Sequence, residues 1–322
     1  MISLQLVWFT IGLIVLYFGA EWLVRGAAGL AIRYGMRPMV VGITVVALAT
    51  SMPEFVVNVL AALGGDDSIA LGNVVGSNIA NIGLILGISA VVLPLSVSSN
   101  TLRNEYPMML GVAILFYVLA LDGTIGRVDG LVLMACLGAF FFYVIRDTKQ
   151  HAATVAQAAR DTPGEAGLTG DTILKQSLYI AAGVIALAGG AQLMVKAAVT
   201  IAELFHISPI VIGLTVVAVG TSLPELAASV ASALKKDADM SVGNVLGSNL
   251  LNILFVIGLV ALIQPLQVDA DSIRVHFPIM LGFSLLLLPL AWTRFQISRF
   301  EGVVLLLGFT GYIVYLVLPY VR

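Results

Sequence analysis

The sequence is short of charge, of cysteine and of histidine. Sixteen Lys and Arg and eighteen Asp and Glu make up 11% of 322 residues, against 60% hydrophobic residues. With a mean hydropathy of +1.05, a 33.9 kDa globule has too little polar surface to face water all round, so a bilayer is implied. The single cysteine, Cys136, excludes an intrachain disulfide and sits in the apolar run Leu131 to Phe142, where it reads as a small core residue. The only histidines, His151, His206 and His276, are too scattered to suggest a shared site. Zinc-type Cys/His spacings, a phosphate-cradling glycine loop and a Ser/His/Asp arrangement are all missing. A net charge of −2 argues against a nucleic-acid partner.

Long apolar runs are what the chain does have. Taking about 17 to 25 residues per crossing, it reads as an all-α membrane protein with ten spans, at 3–24, 38–64, 69–97, 105–121, 128–146, 175–197, 208–234, 240–266, 276–293 and 301–320. The first begins without a basic region and runs into Glu21 and Arg25 without a small-residue cleavage site, so it reads as a retained span. Residues 147–174 are the only long polar stretch, and they separate five expected spans from five as a linker.

Residues 42 to 81 recur at 213 to 252. Gly42 and Gly213, Glu54 and Glu225, and Asn81 and Asn252 are all 171 positions apart, and half of the paired residues are identical without a gap. The same offset relates Pro38 to Pro209, Pro94 to Pro265, Arg103 to Arg274 and Pro107 to Pro278. Residues 1–146 and 175–322 therefore read as two copies of a five-span unit, which is the organisation of a transporter with one central site. Because five is odd, the second copy must enter the membrane from the opposite side, as an inverted repeat. With both termini outside, the cytoplasmic segments hold twelve of the sixteen Lys and Arg, so the positive-inside rule favours N-out, C-out and a cytoplasmic linker.

The repeated motif places Thr50-Ser51-Met52-Pro53-Glu54, and again Thr221-Ser222-Leu223-Pro224-Glu225, where a lipid-spanning helix should carry hydrocarbon. A carboxylate at the bilayer centre costs at least about 2.5 kcal/mol. Neither motif contains Lys or Arg, so compensation must come from a cation or from protonation. Proline cannot donate to the carbonyl four residues back, which predicts a break just before each glutamate and freed carbonyls near Ala47 to Thr50 and Ala218 to Thr221. Thr50 with Glu54 and Thr221 with Glu225 are i,i+4 neighbours, as are Ser77 with Asn81 and Ser248 with Asn252 on the next span. Such a set of hard oxygens suits Ca²⁺ or Na⁺, not zinc or copper. A proton needs only the carboxylates, whereas Na⁺ needs neutral oxygens such as Ser51, Ser77, Ser222 and Ser248. The glycines at 72, 76, 243 and 247 offer small faces for close helix approach.

At these motifs the sequence resembles the cation/calcium exchanger superfamily, in its prokaryotic sodium/calcium exchanger branch, over essentially the whole chain. The resemblance implies a Na⁺/Ca²⁺ antiporter in a prokaryotic plasma membrane, with the ions as substrates and no cofactor. It implies that Glu54 and Glu225 bind Ca²⁺ with the carbonyls of Thr50 and Thr221. Sodium sites then draw on Ala47, Ser51 and Ser77 and on Ala218, Ser222 and Ser248, with Asn81 and Asn252 completing the cluster. It also implies that spans 1 and 6 slide over the other eight. Some members, potassium-dependent ones included, carry aspartate at the place of Asn252; asparagine argues against potassium dependence. An H⁺/Ca²⁺ antiporter using the same glutamates, a cation channel and an intramembrane hydrolase are the alternative readings.

Overall fold

The computed structural model describes residues 2–161, 172–204, 218–292 and 294–321. Its helices before the linker are α1 (Ile2–Tyr34), α2 (Pro38–Val41), α3 (Ala47–Thr50), α4 (Met52–Gly64), α5 (Asp67–Ala80), α6 (Gly87–Val92), α7 (Ser99–Arg103), α8 (Glu105–Ala120) and α9 (Arg127–Asp161). After it come α10 (Ile173–Leu204), α11 (Ala218–Thr221), α12 (Leu223–Leu234), α13 (Ala238–Leu251), α14 (Gly258–Ile263), α15 (Phe277–Trp292) and α16 (Arg299–Val321). Short π-helical segments at Gly42–Val46, Asn81–Leu86 and Asn252–Ile257 join α2 to α3, α5 to α6 and α13 to α14.

Among the described residues, seven helical stretches are long and apolar enough to cross a bilayer, and Pro38–Thr50 with Met52–Gly64, bent by 45°, makes an eighth. The two remaining expected spans hold shorter helices. That at 105–121 is α8, of 16 residues. That at 208–234 is described only from residue 218, where it contains α12; its first ten positions lie outside the described residues. Helix α9 continues through the first part of the expected linker, to Asp161. Its sequence there, HAATVAQAARD, is rich in alanine, the strongest helix former, so the helix outlasts its apolar part. Residues 162–171 are outside the described set.

Two apolar cores organise the chain. The larger gathers α5, α8, α9, α13, α15 and α16, with Phe116, Phe277, Ile82 and Ile253 fully enclosed. The smaller binds α1 to α10 through Leu16, Leu23, Leu187 and Met194, and meets the rest at Val41, Val46, Ala228 and Met240. α1 and α10 run in opposite directions, with Gly12 beside Gly190 and Gly26 beside Gln176. A Cβ on Gly12 would lie 2.8 Å from the Gly190 carbonyl oxygen, so only glycine lets the two backbones touch.

Four two-residue strands lie at the helix ends, β1 (Leu95–Ser96), β2 (Thr124–Ile125), β3 (Leu266–Gln267) and β4 (Gln296–Ile297). They form two antiparallel ladders, β1 with β4 and β2 with β3. Each ladder joins a segment before the linker to one after it. At the end of α1, Arg37 is clamped by Glu105 of α8 at 2.6 Å and Asp147 of α9 at 3.0 Å. Burial works against its charge, but the hydrogen bonds to Asp147 and Glu105 outweigh it and hold the guanidinium above its usual range.

Candidate ion-binding site

Both proline-glutamate motifs break their helices where expected. Ser51 has φ −83°, ψ 3° and Ser222 has φ −89°, ψ 5°, the sparsely populated bridge region that interrupts a helix without reversing it. Around Ser51 the ladder closes from Ser51 N to the Ala47 carbonyl at 2.9 Å and resumes from Phe55 N to the Ser51 carbonyl at 3.1 Å. The carbonyls of Ala49 and Thr50 are thereby left out of it. Ala47 corrects the expectation: its carbonyl accepts from Ser51 N, so it is not among those freed. Ala218 begins α11, and its side chain lies outside the described set.

Most of the predicted residues are buried, and the broken helices bring Ser51 of the first motif against Glu225 of the second. Glu54 and Glu225 are each 1% exposed. Thr50, Ser51, Ser77, Asn81, Ser222, Ser248 and Asn252 are also buried, and Thr221 is half-buried beside Ser222. Ser51 Oγ donates across the repeats to Glu225 Oε1 at 3.2 Å. Among the described residues, seven oxygens of the set have no hydrogen-bond partner: both of Glu54, Oε2 of Glu225, Oγ of Ser222 and Ser248, and Oδ1 of Asn81 and Asn252. Buried polar groups are almost always paired, so three lone carboxylate oxygens with four lone neutral ones are the arrangement a cation would satisfy. No group of three or more His, Cys, Asp or Glu side chains gathers among the described residues, so the donors are two carboxylates amid neutral oxygens.

Helix α13 reaches this cluster by backbone contact. A Cβ on Gly247 would sit 2.5 Å from the Ile43 carbonyl oxygen and 2.7 Å from Ala47 Cβ. The absence of a side chain there lets Asn244 and Ser248, one turn apart, stand beside α3. Asn81 and Asn252 each open a π-helical segment, a local widening that recurs at functional sites.

Four further asparagines and a serine belong to the cluster and had no role assigned from sequence. Asn249 accepts from Asn81 Nδ2 at 2.9 Å and donates to the Asn78 carbonyl at 3.4 Å. Asn78 and Asn249, themselves 171 apart, face the sulfurs of Met280 and Met109, a mirrored pair of contacts. Asn58 and Ser229 sit one turn after the two glutamates, and Asn244 bonds to Ser229 at 2.8 Å. The signal that could have found Asn78 and Asn249 is their identity in both copies of the motif.

The sodium/calcium exchanger protein family matches residues 4–146 and 175–318. The chain belongs to this family. Its relatives include the sodium/calcium exchanger MaX1 of Methanosarcina acetivorans, 31% identical over 352 residues, covering 98% of this chain and 99% of that one. Inner membrane protein YrbG of Escherichia coli is 36% identical over 317 residues, covering 96% and 95%. A structure of the sodium-calcium exchanger NCX_Mj, soaked with zero Na⁺ and Ca²⁺, superposes with a TM-score of 0.82 at 32% identity, covering 98% of this chain and 99% of that one. The exchanger is therefore a multi-pass integral membrane transporter of the cation/calcium antiport class, and not an enzyme. The hydrolase reading falls with that membership.

Proposed function

We propose that the exchanger moves Na⁺ against Ca²⁺ by alternating access, the two ions competing for Glu54 and Glu225. The observation that carries this is the cluster of partnerless buried oxygens around two carboxylates supplied by mirror positions. Two carboxylates neutralise one Ca²⁺, and competition for them is itself the coupling: the site crosses the membrane loaded with one ion or the other. In this reading Ca²⁺ takes the glutamates and the carbonyls of Thr50 and Thr221, while Na⁺ draws on Ala47, Ser51, Ser77, Ala218, Ser222 and Ser248. Asn81 and Asn252 complete the cluster. The Ala47 carbonyl already accepts from Ser51 N, so Na⁺ would use its remaining lone pair.

The same proposal takes residues 1–146 and 175–322 as two inverted five-span repeats, N-out and C-out, with 147–174 cytoplasmic. The separate small core of α1 and α10 supports their moving as one body over the remainder. Sodium is preferred to protons because four serines are placed where a proton would need none.

The test is Ca²⁺ uptake into Na⁺-loaded proteoliposomes at matched pH, without K⁺, and with a protonophore present. Uptake driven by the Na⁺ gradient is the expected result; dependence on a proton gradient with indifference to Na⁺ would establish the H⁺/Ca²⁺ reading instead. Glu54→Gln and Glu225→Gln are each expected to abolish uptake in protein that still folds. Near-normal exchange in either would remove the shared site.

A further inference from the structure

Glu54 and Glu225 occupy mirror positions, yet their main-chain carbonyls are held in different ways. In the first repeat Asn58, one turn on, donates Nδ2 to the Glu54 carbonyl at 2.7 Å. Asn73 on α5 has nothing to hold there, and its Nδ2 is buried without a partner. In the second repeat the place of Asn58 is taken by Ser229, whose hydroxyl accepts instead of bracing the glutamate. Asn244, the counterpart of Asn73, does that work from the neighbouring helix. Its Nδ2 donates to the Glu225 carbonyl at 3.2 Å and to Ser229 Oγ at 2.8 Å. Its Oδ1 lies 3.4 Å from Thr50 Oγ1 of the other repeat, whose single proton has the Val46 carbonyl nearer, at 3.1 Å. Asn244 and Ser229 are both fully buried, so water does not substitute for either bond.

We propose that Asn244 is the positioning residue for Glu225, and that the serine at 229 is what makes it so. Asn244 ties the start of α12 to α13, so the main chain of the second glutamate is braced between two helices and that of the first only within its own helix. The main chain at Glu225 is therefore held from the neighbouring helix by one amide, while its carboxylate is met directly by Ser51 Oγ. The corresponding amide in the first repeat, Asn73, is spare. This inference rests on the reading of Glu225 as an ion ligand.

The experiment is the Ca²⁺ dependence of uptake into Na⁺-loaded proteoliposomes, with the thermal melt of each purified variant as the check on folding. Losing a buried hydrogen-bond partner has the magnitude of about a tenfold change in an equilibrium, so Asn244→Leu is expected to raise the apparent KM for Ca²⁺ about tenfold. The maximal rate should fall by less than about threefold, because placement of a ground-state ligand is what is lost. Asn73→Leu should stay within about twofold of wild type, since its amide bonds to nothing. Adding Ser229→Asn to Asn244→Leu rebuilds the arrangement of the first repeat and should return KM to within about threefold of wild type.

The converse arm stands whether or not Asn244→Leu folds. Asn58→Ser gives the first repeat the arrangement of the second, and Asn73→Leu in that background should now raise KM about tenfold. A wild-type KM in folded Asn244→Leu, an equal effect of Asn73→Leu alone, or no recovery on adding Ser229→Asn overturns the proposal. Glu225→Gln, measured alongside, separates the two levels. If it transports, the ion-ligand reading fails; if it is inactive while Asn244→Leu behaves as wild type, only the positioning role fails.

Discussion

Ser248 Oγ is buried without a partner one turn before Asn252, and Ser77 stands in the same relation to Asn81. A hydroxyl in that position offers an ion a neutral oxygen and offers a proton nothing. Ser77→Ala and Ser248→Ala are therefore expected to weaken apparent Na⁺ affinity several-fold, up to about tenfold, while apparent Ca²⁺ affinity changes less. Competition of Na⁺ against Ca²⁺ uptake in proteoliposomes measures both; an equal loss for the two ions would return the serines to packing. At this scale the sequence is most informative where chemistry and repetition coincide. A glutamate after proline, in two registers, has no ordinary place in a lipid-facing helix, so Glu54 and Glu225 were legible. The roles of Asn244 and Ser229 were not, because they depend on which of two neighbouring helices reaches the Glu225 carbonyl. Asn58 and Ser229 differ between the repeats, so repetition could not single them out either.

Between elements the decisive feature is backbone contact. Gly247 lets α13 lie against the π-helical segment at Gly42–Val46, and a methyl group at 247 would meet main-chain atoms of Ile43, which cannot step aside as a side chain could. Gly247→Ala is expected to destabilise the protein by about 1–3 kcal/mol, the size of an overpacking defect, and to reduce uptake beyond the loss of folded protein. Gly138→Ala on α9, whose Cβ meets nothing within 4 Å, is the control and should leave both near wild type. Melting temperature in detergent and Ca²⁺ uptake check the pair; indifference to Gly247→Ala would mean that α13 does not approach α3 through this glycine. The helix breaks at Ser51 and Ser222 followed from proline's missing N–H and were predictable without coordinates. The π-helical openings at Asn81 and Asn252 were not, because a π segment has no residue signature of its own. Nor was the run of α9 to Asp161 anticipated: polarity marks where a helix leaves the bilayer, and propensity decides where it stops.

At the scale of the whole molecule the two strand ladders constrain how the chain threads the membrane. β1 pairs with β4, and six expected spans separate them; β2 pairs with β3, and four separate them. Strands that pair must lie on the same side, so both counts must be even. If α8 failed to cross, the first count would become odd; if the stretch containing α12 failed, both would. The proposed ten crossings, with α8 and α12 short, and the proposed inverted repeat both fit this pairing, which a parallel repeat would forbid. Two more contacts agree with this threading: Asp67 accepts from the main-chain N–H of Gln267 at 3.0 Å, and Lys235 donates to the Glu21 carbonyl at 3.2 Å. The ladders do not say which side is outside. The proposed orientation takes that from the Lys and Arg asymmetry, which favours Lys236 in the cytoplasm and Asp66 outside. Both positions are exposed, and Cys136 is the chain's single thiol, so a Cys136→Ser background isolates each introduced cysteine. In intact cells Asp66→Cys should react with a membrane-impermeant maleimide, and Lys236→Cys should react only after permeabilisation. The reverse pattern would keep the inverted repeat and turn the protein over in the membrane. Labelling of both from one face would break the parity of the spans, and with it the ten-span threading.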